Sequence, residues 1–480
     1  MRIRAGWLAA LAALAAVYFL YFFGLTGMGL IGPDEPRYAW VGREMARSGD
    51  WVTPRLWGQP WFEKPALLYW MTAAGFRLGL GEDLAPRLPV ACLSVLFLAF
   101  FYWRMRQEWG AAAAGYGTAV LATSAGWVAY SHAAVVDLPL TAALAAAMLC
   151  LQASIERRDA RWLAGFGALL GLATLAKGLV APALAGLTVA ACAVRMGGSL
   201  LRDLWRPAPW LAFAAVAGPW YGLCYARNGA AFLDEFFWKH HVSRFVSGAL
   251  DHRQPVWFFL PVLAGALLPW TPLAARLARG GAWREPRGFF LLAWSLTTLA
   301  FFSLSTDKLP GYILPALPAL AALAGLALAS PTPVAGTLGL CAATLGLLPV
   351  AETILPAALE TGLSRAWAEA RFTAPALVGA AALVAAAWRL ERARRRGLAV
   401  AAIALSAAAS YALMKARTFP AIDRRAGTRA QWEQAGSRRD SVCLGQVRRH
   451  VAYGLNYYAG RQLPDCDGQP GAYAIEDPPP

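Results

Sequence analysis

Residues 32–70 read GPDEPRYAWVGREMARSGDWVTPRLWGQPWFEKPALLYW, and the rest of the chain is organised around this stretch. It follows the first long apolar run and is far more polar than its surroundings. Its charged residues have both signs and lie close together along the chain; they include Asp34, Glu35, Arg37, Arg43, Glu44, Arg47, Asp50, Glu63 and Lys64. Such a group beside a first membrane helix favours chemistry at one face of the bilayer.

The composition is that of a polytopic membrane protein. Of 480 residues, 58% are hydrophobic, 15% are charged and 21 are Trp, whereas a soluble domain has about 25% charged residues. The formal net charge of +16 would suggest nucleic acid as the partner of a soluble protein. Most basic residues here are Arg in short loops between apolar runs, which is typical of a cytoplasmic membrane face. The charge therefore indicates topology, and nucleic acid is not a predicted partner.

Thirteen apolar runs are predicted as spanning helices, since about 20 residues cross ~30 Å of hydrocarbon. A cleaved signal peptide is the alternative for the first run, but that run is long and many spans follow it. The predicted spans are approximately Gly6–Leu30, Pro86–Trp103, Gly110–Tyr130, Leu138–Ser154, Trp162–Ala176, Leu179–Val194, Ala208–Tyr225, Val256–Leu277, Gly288–Leu304, Tyr312–Ala329, Pro333–Val350, Thr373–Trp388 and Leu398–Leu413.

The odd number of spans places the two ends of the chain on opposite sides. With a cytoplasmic N-terminus, nineteen Arg fall on the inner face in six short segments, as the positive-inside rule requires. Residues 1–414 then form the membrane domain, residues 31–85 form an outer loop within it, and residues 415–480 form a small outer domain.

Three further outer segments carry unusual side chains. Residues 132–140 contain Asp137 at the lip of a helix, although a plain helix cap is the alternative. The other two segments are residues 228–254 and 305–315. Between them they contain cations, imidazoles and a tyrosine, namely Lys239, His240, His241, Arg244, Lys308 and Tyr312.

All five lysines fall on the outer side in this topology: Lys64, Lys177, Lys239, Lys308 and Lys415. Compact cations suit a phosphate ligand. For Lys177 and Lys415 we expect instead that the side chains snorkel from helix ends to water. The spans hold few ionisable residues and no internal repeat, so chemistry at the outer interface is favoured over transport through the bilayer.

The first outer loop resembles that of the bacterial aminoarabinose transferase (ArnT) family, relatives of the protein O-mannosyltransferases among the integral-membrane GT-C glycosyltransferases. The resemblance lies in DEPRYAWVGREMARSGDWVTPRLWGQPWFEKPALLYW and continues in VVDLPL, in the FFW…H..RF segment, in DKLPGYILP and in YGLNYYAGRQL. It is collinear over most of the chain. The combination of these motifs is specific, whereas any one alone would be weak.

The resemblance implies a polyprenyl-phosphate-linked sugar as donor, used on the periplasmic side of the inner membrane. Family members place the acidic residue that matches Asp34 at the reaction centre and the one that matches Asp137 beside it, and Glu35 is a third catalytic candidate. The residues that match Glu63 and Lys64 lie in the donor-phosphate region.

Elementary chemistry is compatible with these roles. Asp34 can accept a proton from an acceptor hydroxyl or, if the acceptor is a phosphate, mainly position it. Cations stabilise the departing phosphate as its negative charge grows. The candidates for this role are Lys64, Arg244 and Lys308. Tyr69 and Tyr312 could hydrogen-bond donor or acceptor, although an aromatic belt at the interface explains them equally well.

The resemblance also associates a divalent metal with Glu63 and loop histidines, here His241 and, less securely, His240. Nitrogen and oxygen ligands suit zinc, whereas magnesium prefers oxygen ligands. Adjacent histidines do not always both reach one ion. Zinc or magnesium is therefore a candidate cofactor, and no cofactor is required by the sequence.

The C-terminal residues 415–480 are soluble in character and too few to bury a large core unaided. Five of the seven cysteines lie in apolar spans and act as small hydrophobic residues. Cys443 and Cys466 share the tail in an oxidising compartment, which predicts a disulfide. This tail is shorter than in typical family members.

We therefore predict an all-α polytopic membrane protein of GT-C type with about 13 transmembrane helices and a small α/β C-terminal periplasmic domain. The predicted function is an inverting glycosyltransferase of the bacterial inner membrane that moves a sugar from undecaprenyl phosphate to lipid A or another envelope glycolipid. A protein O-glycosyltransferase and a non-catalytic transporter of the lipid-linked sugar are the alternatives.

Overall fold

A computed structural model describes residues 2–197, 199–236, 254–279, 281–467 and 473–476. Most of these residues are helical. The α-helices are Arg2–Val17, Asp34–Ser48, Leu67–Arg77, Gly81–Thr123, Ala125–Tyr130, Asp137–Arg157, Ala160–Lys177, Val180–Met196, Ser199–Leu204, Pro207–Leu233, Phe259–Ala266, Ala274–Arg279, Pro286–Leu304, Leu317–Ala329, Ala335–Thr344, Leu348–Thr361, Leu363–Ala366, Ala374–Arg392, Arg396–Ala426, Thr428–Ala435 and Arg449–Ala459.

Short irregular helices and four strands complete the described part of the chain. A π-helical turn, Tyr18–Phe22, continues the first helix. The 3₁₀ turns are Val256–Phe258, Thr271–Leu273, Ala282–Arg284, Pro310–Ala316, Leu345–Leu347, Trp367–Glu369 and Gly436–Ser441. The strands are Arg55–Leu56, Gln59–Pro60, Val442–Leu444 and Tyr473–Ile475.

Seven helices among the described residues are long and apolar enough to cross a membrane, or eight if a bent pair at 256–277 counts as one span. The helix Gly81–Thr123 contains the predicted span Pro86–Trp103 and most of the predicted span Gly110–Tyr130, and it kinks where Gly110 adopts φ 83°. Glycine suits this kink because a positive φ strains residues that carry a Cβ. The last residues of the second span form the separate short helix Ala125–Tyr130. The count of thirteen spans stays a prediction.

Segments predicted to be cytoplasmic meet at one end of the helix bundle. The Glu108 carboxylate accepts from Arg104 at 2.6 Å and from Arg157 at 3.2 Å. Arg287 pairs with Glu156 at 2.7 Å. Three of the Arg-rich loops are thereby joined at one face, as the positive-inside pattern predicted. The residues of the candidate site lie at the opposite ends of these helices.

The helix Asp137–Arg157 lies at the centre of the bundle, and every residue from Leu138 to Ser154 is buried. It is rich in Ala, and small side chains let neighbouring helices approach closely in membranes. The next helix, Ala160–Lys177, is antiparallel to it because only a two-residue turn separates them. The start of the first helix and the end of the second therefore lie side by side on the site face.

The first outer loop is a folded unit. It contains the helix Asp34–Ser48, a two-stranded antiparallel hairpin at residues 55–60 and the helix Leu67–Arg77. Asp34 and Glu35 occupy the first turn of their helix, where the helix dipole favours negative charge. Gly49 ends this helix in the left-handed conformation, as a C-terminal glycine commonly does.

The C-terminal domain begins later than predicted. The helix Arg396–Ala426 continues through the boundary predicted at residue 415, so the separate unit starts at Thr428. It has the predicted α/β character, since Val442–Leu444 pairs in parallel with Tyr473–Ile475 beside two short helices. Cys443 and Cys466 form the disulfide that the sequence predicted.

Candidate active site

Arg37 joins the two acidic residues of the first outer loop. Its Nη2 lies 2.5 Å from Oδ1 of Asp34, one helical turn before it, and 3.0 Å from Oε2 of Glu63. Oε1 of Glu63 is 3.2 Å from Nζ of Lys64. The result is a row of alternating charges, from Asp34 through Arg37 and Glu63 to Lys64. Arg37 was not predicted as a site residue, although its i,i+3 spacing from Asp34 on a helix was a usable signal.

Burial and charge act against each other at Arg37. Burial alone lowers the pKa of the guanidinium, but Tyr38, Glu63 and Asp34 outweigh this effect and raise the pKa above its ordinary value. Arg37 is thus a permanent cation. The Asp34 side chain is 39% exposed, whereas that of Glu63 is 6% exposed. Of these two carboxylates, Asp34 is therefore the one that an incoming acceptor can reach.

Tyr69 lies beside this row of charges with an unused hydrogen-bonding group. Its ring is fully buried, and within the described part of the chain neither its hydroxyl nor Nε of Arg37 has a hydrogen-bond partner. Burial and, after it, the charge of Glu63 raise the pKa of Tyr69 well above its ordinary value, so the hydroxyl keeps its proton. Buried polar groups normally have partners. Both groups are therefore donors without a partner within the described residues, and the role of Tyr69 toward the sugar donor or acceptor stays a prediction.

Asp137 and Lys177 form a second charged group at the site face. The Lys177 Nζ lies 2.7 Å from Oδ1 of Asp137 and 4.2 Å from the centre of the Tyr312 ring. Asp137 starts one helix and Lys177 ends its antiparallel neighbour, so each charge also lies at the helix end that favours it. Lys177 was expected to snorkel to water. That expectation is wrong, because the side chain turns inward to the carboxylate.

Tyr130 lies near both charged groups. It ends a short helix outside the spanning segments, and burial and, after it, the charge of Asp137 raise the pKa of its hydroxyl; Asp34 adds to the effect. A Cβ added at Gly311 would lie 2.7 Å from the Tyr130 hydroxyl and 2.9 Å from Cγ of Asp137. The turn that carries Tyr312 therefore packs directly on Asp137, and the absence of a side chain at residue 311 permits this contact. Asp34 and Asp137 both act on the pKa of Tyr130, so both carboxylates lie in its neighbourhood.

Glu35 does not belong to the reactive group, contrary to the prediction. Its carboxylate is buried and receives two hydrogen bonds from Arg87, at 2.9 and 2.8 Å. It also accepts from the backbone N–H groups of Ile31 and Ala134, at 3.0 and 2.8 Å. Both of its oxygens are therefore engaged by the fold. Glu35 holds the loop onto the membrane domain and has no open position for a substrate.

Lys308 and Lys415 also differ from expectation. The Lys308 ammonium donates to the carbonyl oxygens of Gln254 and Ser305, at 3.0 and 2.5 Å. These hydrogen bonds hold its own turn and link it to residue 254. Lys415 is buried and does not snorkel. Its ammonium donates to the carbonyl oxygen of Phe19 at 2.5 Å and lies 3.1 Å from Nε2 of His132. Both lysines thus contact the fold through backbone carbonyls, which sequence patterns do not reveal.

The predicted metal ligands are only partly described. His240 and His241, together with the predicted phosphate ligand Arg244, lie in residues 237–253, outside the described residues. Within the described ranges no group of three His, Cys, Asp or Glu is arranged to hold a metal. Glu63 is flanked by the cations of Arg37 and Lys64, which oppose a further positive charge. The described residues alone therefore do not form a metal site.

The C-terminal domain covers one side of the first outer loop. The Tyr453 ring stacks on Trp57 with centroids 5.4 Å apart, and the Arg37 guanidinium lies 5.5 Å from the centre of the same tyrosine ring. Arg43 donates to the carbonyl oxygen of Tyr457 at 2.9 Å. Although this domain is small, it therefore contacts the residue that joins the two acidic groups and shapes one wall of the site.

Comparison with known sequences points to one kind of protein. A family model described as dolichyl-phosphate-mannose-protein mannosyltransferase matches residues 63–220. Two curated relatives named undecaprenyl phosphate-alpha-4-amino-4-deoxy-L-arabinose arabinosyl transferase, from Yersinia enterocolitica and Pectobacterium atrosepticum, are 34% and 31% identical over 302 and 349 residues. The alignments cover 59% and 67% of this chain and 53% and 62% of the relatives. The chain thus spans about half the length of the curated relatives it matches.

Solved structures extend the similarity to nearly the whole chain. Two crystal structures of ArnT from Cupriavidus metallidurans, one apo and one bound to undecaprenyl phosphate, superimpose with TM-scores of 0.77 and 0.75 at 28% and 27% identity. They cover 96% and 95% of this chain and 86% and 85% of those proteins. An oligosaccharyltransferase of Archaeoglobus fulgidus has a TM-score of 0.52 at 15% identity, covering 97% of this chain and 60% of that one, and shares the fold alone.

The fold and the outer-face arrangement of carboxylates and cations define a membrane protein of the GT-C glycosyltransferase class. Within that class the chain is similar to ArnT proteins in sequence and in fold, in line with the motifs of its outer loops.

Proposed function

We propose that this protein transfers a sugar from a polyprenyl phosphate, most simply undecaprenyl phosphate, to lipid A or another phosphorylated glycolipid at the periplasmic face of the bacterial inner membrane. One observation carries the proposal. Two carboxylates from different outer segments, Asp34 and Asp137, are each paired with a cation, and both raise the pKa of the same partly buried tyrosine, Tyr130, at one end of the bundle. The names of the relatives and the undecaprenyl phosphate bound in the similar ArnT structure support the donor class.

The reaction is a displacement at the anomeric carbon of the sugar. An acceptor oxygen forms a bond to that carbon while the bond from the carbon to the donor phosphate oxygen breaks, and the electron pair leaves with the polyprenyl phosphate. Attack from behind the leaving group inverts the anomeric centre. An acceptor hydroxyl would transfer its proton to Asp34. An acceptor phosphate already carries negative charge and needs no base, so Asp34 would then orient the reactants.

The remaining residues stabilise charge during this displacement. Negative charge grows on the departing phosphate, and preorganised donors aimed at such charge lower the barrier. Lys64, which pairs with Glu63, and the Tyr69 hydroxyl would hold the phosphate, with Arg244 as a further predicted ligand. The Asp137–Lys177 pair and Tyr312 would position the sugar. A divalent metal at Glu63 and His241 stays part of the proposal, and no step above depends on it.

Two alternative functions make different predictions. The first alternative is a protein acceptor, because the matched family model is described as a protein mannosyltransferase. In that case labelled sugar would appear on protein and none on lipid. A transporter would move the lipid-linked sugar without breaking the sugar–phosphate bond. Little charge lies within the spans away from their ends, which favours transfer over transport.

The test uses the purified full-length protein with a polyprenyl-phosphate sugar and lipid A, followed by mass spectrometry of both lipids. We expect the wild type to release polyprenyl phosphate and to add the mass of one sugar to lipid A. Asp34→Asn should slow transfer about 10²-fold or more, while its binding of undecaprenyl phosphate stays close to that of the wild type.

Glu44→Gln is the matched control, because Glu44 lies on the same helix and contacts Trp40 and Gly58, away from Asp34. It should transfer sugar like the wild type. Normal transfer by Asp34→Asn would remove Asp34 from the reaction centre. A wild-type protein that binds the donor and releases no polyprenyl phosphate with lipid or protein acceptors would favour the transporter.

A further inference from the structure

A cleft opens on the site face, between the helix Leu348–Thr361, the outer part of the spanning segment Ala335–Glu360, and the helix Arg396–Ala426. Its volume is about 560 Å³, and three arginines, Arg371, Arg424 and Arg425, are among its lining residues. A hydrogen bond next to the cleft shows that it lies near the first outer loop. Asp423, next to Arg424 in the chain, accepts a hydrogen bond from the N–H of Gly29 at 2.7 Å, and Gly29 begins the segment that leads into the first outer loop.

Two of these arginines have no anionic partner among the residues that the structure describes. Arg425 pairs with Glu369 at 3.2 Å, and the other acidic lining residue, Glu352, lies 3.7 Å from Arg417. Both acidic groups of the cleft are therefore already matched. The guanidinium groups of Arg371 and Arg424 have neither an ion pair nor a hydrogen bond within the described residues. The lining thus keeps two positive charges that an anion could neutralise.

The segment at residues 362–373 connects two spanning helices beside this cleft, and its exposed side chains suit contact with lipid. It carries exposed apolar side chains, with Leu363, Trp367 and Phe372 at 60%, 59% and 61% exposure. Tryptophan and other aromatics at the ends of spanning helices mark the interface between hydrocarbon and headgroups. The cationic cleft therefore opens at the depth where lipid phosphates lie. Basic pockets between spanning helices commonly bind such headgroups.

We propose that this cleft binds the phosphate group of an anionic lipid in the leaflet on the site face, held between Arg371 and Arg424. Guanidinium groups suit phosphate because their planar N–H donors match its oxygens in pairs. The adjacent apolar connection would cover the glycerol and the first part of the acyl chains, which a free phosphate lacks. This site is separate from the charged groups around Asp34 and Asp137, and the proposal does not depend on the transfer reaction.

The test measures lipid binding by native mass spectrometry on the purified full-length protein in detergent. The probes, added one at a time, are phosphatidylglycerol, zwitterionic phosphatidylethanolamine and inorganic phosphate. The cleft variant is Arg371→Ala with Arg424→Ala. We expect its apparent affinity for phosphatidylglycerol to fall about tenfold or more. The wild type should prefer phosphatidylglycerol over phosphatidylethanolamine, and inorganic phosphate should not displace it.

The matched control is Arg389→Ala with Arg395→Ala, which removes two exposed arginines at the opposite end of the neighbouring helices. It should bind phosphatidylglycerol like the wild type. A variant that replaces both cleft arginines by Lys keeps the charge and should lose less affinity than the alanine variant. Equal binding by the cleft and control variants, equal binding of both lipids, or displacement by inorganic phosphate would each overturn the proposal.

Discussion

Two carboxylate–cation pairs in this protein have similar composition and opposite surroundings. The Glu35–Arg87 pair is almost fully buried, with side-chain exposures of 3% and 1%, whereas the Asp137–Lys177 pair is exposed by 14% and 12%. Arg87 also donates to three backbone carbonyls, at Leu25, Met28 and Gly29. In the first pair, hydrogen bonds engage both oxygens of Glu35 and the guanidinium of Arg87. In the second pair, the Lys177 ammonium lies over the Tyr312 ring, and both side chains keep part of their surface exposed.

The difference separates a structural ion pair from one available to substrate. A buried charge is tolerated only when its hydrogen-bonding positions are filled, and Glu35 meets that condition entirely within the fold. Asp137 makes one strong contact, to Lys177, and retains acceptor positions toward the site. The identity of the residues does not distinguish the two cases. The number of donors around each carboxylate does.

The largest expected effect comes from breaking the closed pair. Arg87→Met removes the guanidinium and leaves Glu35 as a buried charge without its partner, which costs about 3–5 kcal/mol for such pairs. It also leaves three backbone carbonyls without their donor. We expect little folded protein, or a large fall in the thermal unfolding temperature in detergent. Arg87→Lys keeps the charge and should recover part of that stability. A variant Arg87→Met with wild-type unfolding temperature would contradict the structural role.

The second effect should fall on activity and much less on stability. Asp137→Asn keeps the shape of the side chain and removes its charge, and Lys177→Met removes the other half of the pair. We expect each to reduce the transfer rate about 10²-fold, in the range found when one preorganised electrostatic group is lost. The unfolding temperature should fall far less than in Arg87→Met. The measurement is sugar transfer to lipid A beside thermal unfolding of the same preparations.

Asp137→Glu is the matched control for charge, because it retains the carboxylate but shifts it by one methylene. Partial activity in this variant would show that both charge and position matter. Full activity in Asp137→Asn, or a loss of stability as large as that of Arg87→Met, would show that the Asp137–Lys177 pair has a structural role like that of the Glu35–Arg87 pair.

The smallest effect is a pH dependence at a third buried contact, between His132 and Lys415. His132 lies in the turn before Asp137, and burial and, after it, Lys415 lower the pKa of its imidazole from 6.5 to about 3. The unfolded chain then binds a proton between these values and the folded protein does not. The stability contribution is therefore complete above about pH 6.5 and declines as the pH falls toward 3.

Thermal unfolding of the wild type should accordingly occur at lower temperature at pH 5 than at pH 7.5. His132→Gln cannot titrate, so the difference between its unfolding temperatures at the two pH values should be smaller. The same difference in both proteins would show that other groups cause the pH dependence. Activity measured at pH 7.5 is not expected to depend on this titration, because the imidazole is already neutral there.

Several features of this protein could be predicted from local sequence. The clustering of charge in residues 32–70, the apolar runs and the Arg-rich inner loops are properties of neighbouring residues. They sufficed for the membrane class and for the location of the first loop at one face. The catalytic roles expected of Asp34 and Asp137 came from the resemblance of the outer-loop motifs to the ArnT family. The disulfide between Cys443 and Cys466 was predictable because the other cysteines lie in apolar segments.

Pairing between distant segments could not be predicted in the same way. Lys177 and Lys415 look alike in sequence as lysines near the outer ends of helices, yet one binds a site carboxylate and the other binds backbone carbonyls inside the bundle. Lys308, in a motif shared with the family, braces its own turn. Each outcome depends on which group lies opposite in the folded bundle.

The sequence by itself determined that this chain enters the membrane many times and presents a charged first loop at one face, because hydrophobicity and charge act over a few neighbouring residues. Only the tertiary structure decided that Glu35 is closed by Arg87 while Asp34 stays open, and that Asp137 pairs with Lys177. Those choices depend on donors and acceptors brought together from helices far apart in the chain, where hydrogen-bond geometry and exclusion of water determine which charge is still available to a ligand.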